Sequence, residues 1–347
     1  MSTKTIRPKI GDVARRAGVS ASTVSRVLNS TTPVSEEVRV RVLASVAELG
    51  YTLTPRAPSA ARQGLIALLI PDILNPYFAE VVRGVQDEIG IDEFMPILLD
   101  TMENPQREER FLRRLASQQV LGVIVLGSRI LATKDLAGIR RYLRAPMVMI
   151  NRSVRLSNVA CVGVDFQAAT YRTTCHLLDL HHTRIAYLPG PGSSETSQAR
   201  RLGIEAALKD AGLTLPAEFC PGGFPSVDGG FQAMSALLAL PVSQRPTAVI
   251  AYNDLMALGA LQAARVQGVR VPEDLSVIGT DDIPMAAHAN PPLTTISQPK
   301  YHLGRLAMKT LRRMLQDDAP PDESYTLVES ALIVRASTGP APSGHSG

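Results

Sequence analysis

Two groups of residues in this chain have the types and spacing to recognise a partner, while the patterns that would support catalysis are missing. Across residues 20–29, SASTVSRVLN, Ala21, Ser22, Ser25, Arg26 and Asn29 share one side of a helical repeat, opposite Val24, Val27 and Leu28. Small side chains there leave room for close approach, and an arginine can hold a guanine edge through two parallel hydrogen bonds. Farther along, Asp72, Asn75, Asn151, Arg152, Asn253, Asp254 and Asp281 cluster where apolar runs end. That placement suits planar hydrogen-bonding groups gathered round a small ligand. The glycine-rich PGPGSS (189–194) has no following Lys-Ser/Thr, so it fails as a phosphate cradle. No serine stands in a nucleophile elbow. Cys161, Cys175 and Cys220 lack metal-ligand spacing, and the side chains of adjacent His181 and His182 point apart. The reading is a non-enzyme with no metal and no cofactor.

A chain of 347 residues, 45% of them apolar, is long enough for two or three domains and a sizeable core. It has no apolar run near 18 residues and no signal-peptide pattern, and the odd cysteine count suits a reducing compartment. A soluble cytoplasmic protein with no membrane partner is expected. Charge is unevenly spread. Residues 1–64 hold ten Lys/Arg and four acids, a net +6, whereas the remainder holds 26 basic and 28 acidic residues, a net −2. A basic head on a nearly neutral body fits a head that meets a polyanion.

The elements that must position the first group are short helices. In IGDVARRA (10–17), Ile10, Val13, Ala14 and Ala17 fall on one face, and Gly18 follows where a left-handed residue ends a helix. Val19 is an apolar plug and Ser20 an N-cap for the next helix. A third helix starts at Ser35, with Glu36 and Glu37 placed against its dipole, and runs through Val38, Val42, Val46 and Leu49. Two short helices joined by a glycine turn and braced by a third form a helix-turn-helix, whose second helix enters the major groove.

The second group needs strands. Apolar runs at 65–71, 95–100, 122–127, 145–151, 184–190, 247–254 and 275–282 alternate with amphipathic stretches such as 76–90 and 199–212. Such alternation indicates parallel sheets covered on both faces, and so long a series favours two lobes. The expected fold is an all-α helix-turn-helix domain joined to an α/β bilobal core of two parallel-sheet subdomains.

Here the sequence resembles the LacI family of transcription regulators. The head carries the resemblance through IGDVARRAGVSASTVSRVLN (10–29) and VSEEVRVRVLASVAELGY (34–51). The body carries it through PDILNPYF (71–78), RIAYLPGP (184–191), ARRLGIEAAL (199–208), AYNDLMALGAL (251–261), VIGTDDI (277–283) and PPLTTISQP (291–299). It implies that Ser20, Ala21, Ser22, Ser25, Arg26 and Asn29 face DNA, with Ala21 and Ser22 setting operator choice. It implies a core shared with periplasmic sugar-binding proteins. One pocket wall would hold Asn75, Tyr77 and Phe78, with Phe224 facing them across the cleft. Asn151, Arg152, Arg200, Asn253, Asp281 and Gln298 would supply polar groups. Asp254 and Asp282 read as structural.

The boundaries that follow are 1–50 for the head, 51–64 for a hinge and 65–336 for the core, with a disordered tail at 337–347. Within the core, the N-lobe takes about 65–165 plus 297–330 and the C-lobe about 166–296. The hinge departs from the family pattern, since Pro58 interrupts it and no leucine occurs between Leu53 and Leu65. Either Arg56 and Arg62 enter a narrow minor groove, or the stretch is a flexible linker. Further departures are Asn151 where relatives carry an acid, Thr280 where an aromatic is common, and His181 in a turn that usually has glycine. His181 accepts the left-handed conformation at some cost.

The expected function is a repressor dimer on a near-palindromic operator, controlled by a small carbohydrate between the lobes. A purine or another metabolite is the alternative effector: Tyr77 and Phe78 suit a base, while Asn75, Arg200, Asn253 and Asp281 suit hydroxyls. A sugar-binding protein without a DNA role would share the core but not the head. The tail has no leucine heptad for a tetramer-forming coil.

Overall fold

The structure, a computed structural model, describes residues 10–20, 23–24, 27, 35–49, 64–89, 94–130, 133–192, 194–316 and 325–342. They fall into two compact units, residues 1–62 and 63–347. In the first, helix Ile10–Ala17 ends at Gly18, whose φ is +65°. The Val19 amide donates back to the Ala14 carbonyl at 3.0 Å, closing that helix end. Ser20 Oγ accepts from the Thr23 amide at 3.1 Å, the capping bond expected of it, and Thr23, Val24 and Val27 are helical. Helix Glu36–Glu48 supplies the third element. Val13, Ala14, Ala17, Val24, Val27 and Val42 form one buried cluster, with Val19, Val38, Val46 and Leu49 packed against it. The apolar spacing therefore does close a three-element core. Of the DNA-facing residues expected from sequence, Ala21, Ser22, Ser25, Arg26, Asn29, Arg56 and Arg62 lie outside the described residues, as does most of the hinge.

The second unit contains two sheets. The strands of the first are β1 (Gly64–Ile70), β2 (Phe94–Asp100), β3 (Gly122–Leu126), β4 (Met147–Ile150), β5 (Val159–Val164) and β10 (Tyr325–Val328). They lie in the order β10-β5-β4-β3-β1-β2 and are parallel throughout. The second sheet is built from β6 (Ile185–Leu188), β7 (Ala248–Ala251), β8 (Ser276–Asp281), β9 (Thr294–Ser297) and β11 (Ala331–Ile333), in the order β11-β9-β8-β7-β6. Only the β11–β9 pairing is antiparallel. Strands β3, β4, β6, β7 and β8 are buried along their whole length, as helices on both faces require. Each of the seven apolar runs covers one strand, apart from the first residues of β1 and β2, which begin one residue earlier. Strands β5 and β9 to β11 are additional, being short or interrupted by Gly, Cys and Thr and so weak in pattern.

Helix Lys300–Gln316 crosses helix Pro76–Ile89 at unusually close range. A Cβ on Gly84 would lie 2.1 Å from the Tyr301 carbonyl oxygen, and one on Gly304 2.0 Å from that of Val81. Glycine is required at both positions because backbone meets backbone there. Helix Glu195–Asp210 begins four residues before the stretch read from sequence, since Ser194 caps it through the Ser197 amide at 3.2 Å. The tail expectation needs correcting. Ser337 is fully buried, its Oγ accepts from the Thr294 amide at 2.8 Å, and the Ala341 amide donates to the Leu180 carbonyl at 2.8 Å. Residues 337–342 are therefore part of the second sheet's packing, because their backbone groups complete its hydrogen bonds.

Candidate functional site

The carboxyl ends of strands from both sheets converge on one cavity, where an open parallel sheet places ligands. Asn75, Tyr77, Phe78, Asn151, Arg200, Asn253, Asp281 and Gln298 line it, together with Glu103, Arg129, Phe166, Thr196 and Tyr252. Eight of the ten residues expected from sequence thus meet in one place. The cavity is narrow, with about 40 Å³ of free volume.

A chain of hydrogen bonds runs along one side. Asn151 Nδ2 donates to the Tyr77 hydroxyl at 2.9 Å, and that hydroxyl donates to Gln298 Oε1 at 3.0 Å. Gln298 Nε2 in turn donates to Asp281 Oδ1 at 2.7 Å. Asn151 (φ 58°) and Asp281 (φ 117°) both adopt backbone conformations that favour glycine. Lys300 holds the second one in place, its Nζ donating to the Asp281 and Asp282 carbonyls at 2.8 Å each. Such strain at a cavity wall is tolerated where surrounding bonds over-determine the conformation. Burial pushes the Asp281 carboxyl well above the usual range, and Asp254 adds to this, while Arg200, Lys300 and Gln298 oppose it. Burial also raises the Tyr77 hydroxyl, with Asp281 adding to the effect, so that group stays a neutral donor and acceptor.

The other side is charged and aromatic. The Arg200 guanidinium lies 3.8 Å from the Phe166 ring centre and 4.6 Å from that of Tyr252, clasped between two rings. Its Nη1 donates to the Thr196 carbonyl at 3.1 Å, while its buried Nε has no hydrogen-bond partner among the described residues. Arg129 forms a two-pronged ion pair with Glu103, both side chains at least 95% buried, and donates to the Gly127 carbonyl at 2.9 Å. Its Nη2 stands 3.4 Å from the Tyr252 hydroxyl. Burial works to raise that hydroxyl, but Arg129 and Arg200 outweigh it and hold it below its ordinary value.

Two expected residues are elsewhere. Arg152 follows the left-handed Asn151, one residue past the end of β4, and does not line the cavity. It is buried with its Nε 3.7 Å from Glu195 Oε2, and burial lowers its pKa against the pull of that carboxylate. Phe224 is 56% exposed, on the loop before helix Val227–Leu238. The aromatic place across the cleft is filled by Phe166 and Tyr252. Asn253 lines the cavity but also caps helix Asp254–Val266, accepting from the Met256 amide at 2.9 Å and donating to the Pro225 carbonyl at 3.1 Å. Asp254 is fully buried and accepts from the Ile283 amide at 2.8 Å and Thr295 Oγ1 at 2.5 Å, the structural role expected of it.

Glu103, Arg129, Phe166, Thr196 and Tyr252 escaped the sequence reading. Glu103, Arg129, Phe166 and Tyr252 each stand within three residues of a strand's carboxyl end, so the strand-end rule applied to every strand would have found them. His181 has φ 68°, as expected for its turn, and His182 is buried between Thr247 Oγ1 and Ser276 Oγ, each at 2.9 Å. Among the described residues, no His, Cys, Asp or Glu cluster could hold a metal, and no helix is long and apolar enough to cross a membrane.

Residues 9–53 match the profile of bacterial regulatory proteins of the lacI family, and residues 174–338 that of the periplasmic binding protein-like domain. The chain is 35% identical over 333 residues to the HTH-type transcriptional repressor CytR of Escherichia coli (strain K12), covering 95% of this chain and 96% of that protein. It is 35% identical over 320 residues to the HTH-type transcriptional repressor PurR of Photobacterium profundum, covering 89% and 92%. Among solved structures, the CelR–cellobiose complex of a transcriptional regulator superposes with a TM-score of 0.70 at 31% identity, over 95% of this chain and 100% of that one. The Lac repressor dimer bound to operator and the anti-inducer ONPF gives 0.74 at 27% identity, over 96% and 100%.

Proposed function

The chain belongs to the LacI family of DNA-binding transcription regulators, which are not enzymes, and from that premise we propose that it is a repressor whose operator affinity is set by a neutral, hydroxyl-rich small molecule, a sugar, held in the cavity described above. The observation that carries the choice of a sugar is the state of the aromatic walls. Phe166 and Tyr252 already hold Arg200 against their rings, so those two rings are not open to a base. Tyr77 and Phe78 meet edge to face, with ring centres 5.1 Å apart and planes at 82°, which offers no parallel slot either. The Asn151–Tyr77–Gln298–Asp281 chain presents alternating donors and acceptors, the complement of a ring of hydroxyls. The CelR structure, which contains cellobiose, is consistent with this class.

In this reading Asn75, Tyr77, Phe78, Asn151, Arg200, Asn253, Asp281 and Gln298 contact the effector, and Glu103, Arg129 and Tyr252 join them. Ser20, Ala21, Ser22, Ser25, Arg26 and Asn29 read the operator, with Arg56 and Arg62 beside its minor groove. The cavity is narrow, and in this reading effector binding changes the separation of the lobes. A ligand shifts the balance between two such states through its difference in affinity for them.

The working unit is a homodimer acting in the cytoplasm on a near-palindromic site. Edge strand β2 exposes Met95 and Leu98, and Ile73, Leu74 and Met102 are exposed nearby in sequence to strand ends β1 and β2. An apolar sheet edge of this kind is a liability unless a partner covers it. The test of effector class is thermal unfolding against a panel of mono- and disaccharides, sugar phosphates and purines. A saturating sugar raises stability by about 2.7 kcal/mol at a hundred times its Kd. A shift with purines and none with sugars refutes the reading.

A further inference from the structure

At the opposite end of the second sheet, a second cavity opens with about 270 Å³ of free volume, far more than the effector cavity offers. It is built from the residues that precede β6, β7 and β8, from Leu238 at the end of helix Val227–Leu238, and from Gln267 to Val269 just past helix Asp254–Val266. Strands of four to six residues separate it from the effector cavity by about 13–20 Å. Leu238, Val242, Val269 and Leu275 give it apolar walls, and two arginines, Arg184 and Arg245, complete them.

The two arginines brace the backbone, yet that role uses little of their capacity. Arg184 Nε donates to the Arg245 carbonyl at 2.8 Å, and Arg245 Nε to the Leu240 carbonyl at 2.9 Å. Among the described residues neither forms an ion pair, and no hydrogen bond engages the terminal nitrogens of either group. A guanidinium carries five N–H donors, so four on each remain for something else. Asp274 also lines the cavity, but Arg270 takes both of its carboxylate oxygens, at 2.7 and 2.8 Å. The cavity is therefore an apolar slot with two unneutralised cationic forks, matched by an anion with a planar, two-oxygen head.

We propose that this cavity is a second ligand site, specific for a small organic carboxylate with a compact apolar body. Its occupant is distinct from the effector, and the site stands whether or not the effector is a sugar. Helix Asp254–Val266 joins the two places, since its cap Asn253 lines the effector cavity and the residues after its last turn line this one.

The test is calorimetric titration of the full chain with benzoate as probe and benzyl alcohol as its neutral counterpart. The expected result is saturable benzoate binding at millimolar or lower Kd, with benzyl alcohol weaker by about tenfold or more, the weight of a charge-assisted hydrogen bond. Arg184→Gln with Arg245→Gln should weaken benzoate by a similar factor. Val242→Trp, at a position 57% exposed and so safe for folding, should block the slot and abolish binding. The proposal is overturned if benzoate shows no saturable binding, if benzyl alcohol binds equally well, or if Val242→Trp leaves benzoate affinity unchanged.

Discussion

Replacing Glu103 by Gln isolates the buried ion pair at the cavity wall. Arg129 and Glu103 are 3% and 5% exposed, so the substitution leaves a guanidinium buried without its counter-charge. Breaking one partner of such a pair costs about 3–5 kcal/mol. Arg129 keeps the Gly127 carbonyl at 2.9 Å and the Tyr252 hydroxyl at 3.4 Å, which argues for the lower end, about 3 kcal/mol. In a unit of this size each kcal/mol moves Tm by roughly 2–4 °C, so a drop of about 6–12 °C is expected. Circular dichroism suits the measurement, since the chain has no tryptophan. The matching change Glu48→Gln breaks a pair with Arg16 whose side chains are more than half exposed, and should cost no more than about 1 kcal/mol. The double variant Glu103→Met with Arg129→Met removes both charges and should recover most of the loss, because an apolar pair is no worse than a buried ionic one. A single variant losing less than about 1 kcal/mol, or a double variant no better than the single, would refute this account of the wall.

Three further outcomes are expected. Gly304→Ala should cost about 1–3 kcal/mol, because its Cβ meets backbone at 2.0 Å, whereas Gly138→Ala, with nothing within 4 Å, should be neutral or stabilising in thermal melts. Burial pushes the Asp254 carboxyl up to about 7, with Asp282 adding to it and Thr295 and Ile283 opposing. The unfolded chain ionises it more readily, so its contribution is full below about pH 4 and is lost as pH rises towards 7. The difference in Tm between wild type and Asp254→Asn should follow that slope and flatten above it; a pH-independent difference contradicts it. Leu98→Lys on edge strand β2 should leave the chain folded but shift sedimentation from dimer to monomer; an unchanged dimer places the interface elsewhere.

Legibility in the sequence followed the strength of the local pattern. The head was readable because Val13, Ala14, Ala17, Val24 and Val42 repeat at helical spacing and Gly18 and Ser20 punctuate it. The seven long apolar runs announced seven strands, while β9, made of TTIS, and β11, made of ALI, are too short or polar to announce themselves. Asn75, Asn151 and Asp281 were found from strand ends. Arg152, one residue past the left-handed Asn151, lies instead beside Glu195, a partner 43 positions away that no local pattern announces. Phe224 stands exposed and outside the cavity lining, and a loop aromatic carries no sign in sequence of where it points. The strand-end rule reaches Arg129 and Glu103 singly, but their pairing was invisible because they lie 26 positions apart and meet only past the end of β1, which β2 and β3 flank.

The central claim is that one chain couples a small molecule to an operator. Its most direct test is selection of binding sites from a random DNA pool, followed by titration of the enriched site by fluorescence anisotropy with and without the sugar found in the thermal panel. The account predicts a near-palindromic site whose affinity changes when the sugar saturates the protein, and loss of that site's preference in Arg26→Ala, at a cost of about 1–3 kcal/mol. Enrichment of no sequence, or an affinity identical with and without a sugar that demonstrably binds, would contradict it.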